Sequence, residues 1–133
     1  MMSNDDTRPP NWSPYHYNAV VDRWSSFRNP VYDADTITLI VDLGFKTFRE
    51  MTFRLYGINA WEVRGEERPK GLVARDWLRE QIPKGTNVEI VSHKDKKGKY
   101  GRYLCVIWVR KDSFCMNINS ELVVQGHAIE KEY

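Results

Sequence analysis

Arg54 and Glu62 stand eight positions apart in the run Thr52-Phe53-Arg54-Leu55-Tyr56-Gly57-Ile58-Asn59-Ala60-Trp61-Glu62. The arginine falls late in a strong β-strand pattern, the glutamate in the irregular segment after it. Upstream sits Asp33-Ala34-Asp35-Thr36, and far downstream Lys99-Tyr100-Gly101-Arg102. These residues offer two guanidinium groups, a carboxylate suited to a hard cation, and a second carboxylate able to take a proton from water. Such a set is chemically sufficient to cleave a phosphodiester. Taken singly, each has an ordinary explanation: an exposed strand arginine, a loop glutamate, turn-forming aspartates, an arginine that closes a hairpin. The conjunction carries the reading.

The surrounding pattern supplies elements that could position them. Residues 15–22 read as a first strand, with Tyr15, Tyr17, Ala19 and Val21 alternating. Residues 24–30 read as a loop, and 35–41 as a second strand whose Ile37, Leu39 and Val41 share one face against Thr36 and Thr38. Asp42-Leu43-Gly44 turns the chain into a long strand over 46–56, with Met51, Phe53 and Leu55 on one face and Thr52, Arg54 and Tyr56 on the other. On that parity Asp35 shares the apolar face of Ile37. A carboxylate at that rim needs a cation, donors or a turn to cap. Pro69 opens a helix in which Val73/Trp77 and Ala74/Leu78 are i,i+4 pairs, and Pro83 with Gly85 ends it. Residues 86–92 and 103–109 read as two further strands. Asn117 or Asn119 caps a short helix carrying Ile118, Leu122 and Val123 that stops at Gly126. The expected fold is mainly β (α+β): a five-stranded antiparallel oligonucleotide-binding (OB) barrel with two to three flanking helices.

A chain of 133 residues is one domain by size, with a flexible leader over residues 1–13 and the folded part over 14–133. Seventeen aromatics are enough to furnish a core. The net charge of +2 does not by itself announce a polyanionic partner. Locally, however, Lys94, Lys96, Lys97, Lys99 and Arg102 face a single Asp95, a cluster that favours phosphates at low salt. Its plainer reading is a solvated loop. Cys105 and Cys115 make no disulfide framework, and no Cys/His set has zinc spacing. No signal peptide or membrane span is apparent, so a cytoplasmic, non-membrane protein is expected, and a monomer.

Asp33-Ala34-Asp35-Thr36, Thr52-Phe53-Arg54-Leu55, Asn59-Ala60-Trp61-Glu62 and Lys99-Tyr100-Gly101-Arg102, followed by Leu122-Val123-Val124-Gln125-Gly126-His127-Ala128, occur in the order and at the spacing of a known family. From about Tyr15 onward the chain resembles the staphylococcal nuclease (thermonuclease) family, in particular its short intracellular and phage-type members. The resemblance implies an OB barrel and a calcium-dependent phosphodiesterase acting on DNA and RNA, with Mg2+ or Mn2+ as alternative ions. It implies Asp35 as the metal carboxylate, with Asn59 and the backbone carbonyl of Ala60 beside it. Glu62 would activate water, and Arg54 and Arg102 would grip the phosphate. Lys99 and Tyr100 would bind a neighbouring phosphate, and Tyr133 lies near a base-stacking position.

The chain departs from the family where Asn59 replaces a second aspartate and Ala60-Trp61 replaces a Thr-Pro or Ala-Pro pair. The loss of one carboxylate predicts weaker calcium binding. Residues 24–30 look inserted; their Trp24 and Phe27 are expected to pack on the barrel rather than cover the site. His16, His93 and His127 form no triad or metal pattern. Two rival functions remain at this level. One is a catalytically inactive OB module that binds single-stranded nucleic acid. The other is a protein-interaction domain using Trp12, Tyr15, Tyr17 and Trp24.

Overall fold

The computed structural model describes residues 14–24, 26–94 and 103–132. The leader and most of the Lys-rich loop, with Lys96, Lys97, Lys99, Tyr100 and Arg102, lie outside the described residues, as does Tyr133.

Five principal strands form: β1 (His16–Val20), β3 (Thr36–Asp42), β4 (Phe48–Leu55), β6 (Asn87–His93) and β7 (Tyr103–Arg110), the last an unbroken apolar run from Leu104 to Val109. β1 pairs with both β6 and β3, so the path β1-β6-β7-β4-β3 returns to its start. The ring closes as a barrel, through three paired positions at β1–β3 and three at β4–β7. Ile37, Leu39, Val41, Phe53, Leu55, Ile90 and Ile107 fill it. Three-residue strands complete the set: β2 (Val31–Asp33) on β3, β8 (Cys115–Asn117) on β7, and the separate pair β5 (Ile58–Ala60) with β9 (Ala128–Glu130). Pieces this short carry too little periodicity to be read from sequence.

Not every pairing is antiparallel. β4 and β7 run parallel, with Phe53 opposite Tyr103 and Leu55 opposite Cys105. Asn119, at the start of α2 (Ile118–Val124), completes this seam. Its carbonyl accepts from Ile107 N–H at 3.1 Å, and its amide donates to Tyr56 and Cys105 carbonyls at 2.9 and 3.1 Å. The helix is capped by Asn117, whose Oδ1 accepts from Ser120 N–H, so the two candidate caps divide the work.

α1 (Arg68–Gln81) follows a 3-10 turn at Gly65–Glu67 and carries Pro69 in its first turn. Ala74 and Leu78 are buried as their spacing predicts, whereas Val73 is exposed and only its partner Trp77 reaches the core. The apolar stripe is thus narrower than the two i,i+4 pairs suggest. Arg79 pins the helix to β2 by two bonds to the Val31 carbonyl, at 3.1 and 2.9 Å. Cys105 is fully buried, which pushes its thiol well above the ordinary range, and both cysteines are free. Among the described residues, no helix is long and apolar enough to cross a membrane.

Candidate active site

Thr36 and Arg54 are directly opposed across the β3–β4 ladder, which brings the arginine to the end of the barrel where β2 turns into β3. Asp35 lies in that turn, not in β3. The register of β2 on β3 shifts between Val31 and Asp33, an irregularity carried by β2. Asp35 extends the β3–β4 ladder by one position, its carbonyl accepting from Leu55 N–H at 2.9 Å, and its largely buried carboxylate meets Arg54, with Nη2 3.8 Å from Oδ2. The turn is held by Asp33 Oδ1, which accepts from Asp35 N–H at 3.0 Å.

Gly57, at φ 81°, lets the chain turn tightly out of β4 into β5. This folds Asn59 back onto Arg54, whose Nη2 donates to Asn59 Oδ1. Ala60 donates its N–H to Asp35 Oδ2 at 3.0 Å, so the contact it makes with Asp35 is through its amide. β5 is fixed by β9, with Asn59 opposite Ile129 and Ala60 opposite Ala128.

Glu62 follows β5 on a segment fastened at several points. Trp61 Nε1 donates to the Gly126 carbonyl at 2.8 Å, and its ring lies 5.0 Å below Lys70 Nζ. Arg68 donates to the Val63 carbonyl at 2.8 Å. Helix α1 packs so closely that a Cβ on Gly71 would fall 1.9 Å from the Glu62 carbonyl oxygen. Trp61, the departure from the family's proline, therefore anchors this segment to the corner between α2 and β9.

Asp35, Arg54 and Glu62 line one open cleft of about 680 Å³, together with Asp33, Tyr32, Arg49, Glu50, Arg64 and Tyr103. Burial is the main force on the Asp35 carboxyl, raising it to about 7, and the side chain and charge of Asp33 add to that. The Ala60 amide and Arg54 oppose the rise without cancelling it. The turn is thus deficient in positive charge, despite the arginine. Oxygen donors at Asp35 and Asn59 suit a hard cation, which would relieve that deficit. Arg54 now occupies the Asn59 oxygen, and would have to yield it to an ion. Among the described residues there is no cluster of three or more His, Cys, Asp or Glu arranged to hold a metal.

A family model described as staphylococcal nuclease homologue matches residues 52–133. The chain belongs to the staphylococcal nuclease homologue family. The match spans Arg54, Asn59, Ala60 and Glu62 and begins downstream of Asp35. No curated protein matches the chain. The closed barrel agrees with the OB architecture of this family, a fold that binds or hydrolyses nucleic acid.

Of the residues singled out from sequence, Asp35, Arg54, Asn59, Ala60 and Glu62 converge, while Arg102, Lys99, Tyr100 and Tyr133 lie outside the described residues. Arg49, Arg64, Tyr32 and Tyr103 line the cleft and were not singled out. Adjacency to a motif residue was the available signal for Tyr32 and Tyr103. The inserted loop also differs from expectation. Trp24 and Phe27 do not pack on the barrel: both are exposed, and the loop is tied by Trp24 N–H to the cleft residue Glu50, at 2.7 Å. The histidines serve structure: His93 stacks on Tyr56 at 4.1 Å, and His127 leans against Trp77.

Proposed function

We propose that the protein is a metal-dependent phosphodiesterase that hydrolyses DNA, and RNA by the same chemistry, in the Asp35–Arg54–Glu62 cleft. The observation that carries this reading is the convergence of a buried carboxylate, a guanidinium and an exposed carboxylate on one open cleft of a staphylococcal nuclease homologue. Glu62, exposed and rigidly carried, takes the proton from an attacking water. Arg54 uses one N–H of Nη2 on Asn59; other N–H groups of the planar guanidinium would bind phosphate oxygens and stabilise the charge that grows on them. Asp35 and Asn59, with the Ala60 carbonyl, are the groups that would hold calcium, or magnesium or manganese in its place. When bound, the ion would polarise the phosphoryl group. Arg102 would be the second guanidinium, and Lys99, Tyr100 and Tyr133 would contact flanking nucleotides.

An inactive OB module remains the rival reading, and Asn59 is the residue that favours it. Hydrolysis of labelled single-stranded DNA in calcium, magnesium, manganese or EDTA separates the two. Metal-dependent cleavage is expected. Tight, salt-sensitive binding without cleavage in any ion would establish the binding module.

A further inference from the structure

Tyr32 and Tyr103 are large aromatic residues that remain half exposed, at 53% and 46%, while lining the same cleft as Asp35 and Arg54. Each belongs to a strand: Tyr32 is the middle residue of β2 and Tyr103 the first of β7. Their separation follows from the sheet order, because β2, β3, β4 and β7 are consecutive neighbours. Three strand spacings put the two rims roughly 14 Å apart along the sheet. Between them lie Asp35 in the β2–β3 turn and Arg54 in β4. Neither tyrosine is at a position that the family resemblance marks.

Two exposed rings flanking a phosphate-binding cation are the elements of a platform for unpaired bases. Stacking is tolerant of sequence because every base has a π-face. Stacked bases in a duplex rise only about 3.4 Å per step. Bases resting on rims roughly 14 Å apart are therefore unstacked from one another, with the connecting backbone passing Arg54. A duplex cannot adopt that arrangement without opening. Resting on the nuclease reading above, we infer that Tyr32 and Tyr103 are base-stacking residues on either side of the reacting phosphate, the side chains through which this cleft engages unpaired bases.

The test uses the full chain with Glu62→Gln to suppress turnover, and measures binding by fluorescence anisotropy in calcium. The probes are a labelled single-stranded DNA decamer, the same decamer with alternate abasic sites, its RNA counterpart and its duplex. Removing bases should weaken binding to the parent roughly 5- to 100-fold. Tyr32→Ala with Tyr103→Ala should lose a similar factor on the intact decamer and no longer distinguish it from the abasic one. Phe at both positions should restore the distinction, which a merely structural role for the tyrosines would not require. DNA and RNA should behave alike, and the duplex should bind more weakly. Discrimination by the double Ala variant equal to that of the parent, or duplex binding as tight as single-strand binding, would overturn the inference while leaving metal-dependent cleavage by wild type intact. Failure of wild type to bind or cleave any probe would overturn both readings.

Discussion

Asp35 sits where two demands conflict. Its carboxylate must be ionised to hold a cation, yet burial and Asp33 raise it to about 7. Because the folded value lies above the unfolded value near 3.8, the protonated form is the one that folding favours. Its contribution to stability is complete below about pH 4 and is lost as pH rises through 7. Metal-free wild type should therefore be less stable than Asp35→Asn at pH 8, by roughly 2–4 kcal/mol, with the gap closing by pH 4. Urea denaturation of both proteins at the two pH values measures it, and an equal gap at both would contradict the assignment. Asn59 acts in the opposite direction, by withholding a charge. Asn59→Asp should lower the calcium concentration for half-maximal activity by on the order of tenfold. Metal titration of the two proteins checks this, and coincident midpoints would remove Asn59 from the ligand set.

At the scale of elements, the position of Glu62 depends on helix α1. A glycine-to-alanine change in a helix ordinarily stabilises by up to about 1 kcal/mol. At Gly71 the new methyl would meet backbone 1.9 Å away, and backbone cannot rotate aside. The clash should win, destabilising Gly71→Ala by about 1–3 kcal/mol and lowering kcat several-fold as the Glu62 segment shifts. Thermal denaturation and steady-state kinetics on one preparation report both. The strands and helices here were legible in the sequence because alternation and i,i+4 spacing are properties of long elements. The β2–β3 shift was not, because a local register change at a two-residue turn leaves no periodic trace. The alternation of β3 put Asp35 at the rim of its apolar face, and the carboxylate is largely buried; its contacts with Arg54 and the Ala60 amide came only with the fold. Tyr32 and Tyr103 escaped notice because an exposed tyrosine in a strand becomes informative only when another element faces it across a cleft.

The whole molecule depends on closing a barrel across a parallel seam that local sequence does not announce. Asn119 satisfies three backbone groups there while itself buried. Asn119→Leu keeps the volume and removes these three buried bonds, although the Cys105 carbonyl keeps its bond from Tyr56 N–H, at a cost of about 3 kcal/mol. Denaturant unfolding checks this, and a variant as stable as wild type would show that the seam closes without it. The closed ring carries Arg54, Asp35 and Asn59 at one end, and α1 with Trp61 sets Glu62 beside them. The central claim is that this end of the barrel breaks phosphodiester bonds with Glu62 as the base. Single-turnover cleavage of a labelled oligonucleotide by wild type and Glu62→Gln, with binding measured in parallel, tests it most directly. The account predicts a fall in rate of roughly 10²- to 10⁴-fold at nearly unchanged affinity. Equal rates in the two proteins would contradict it.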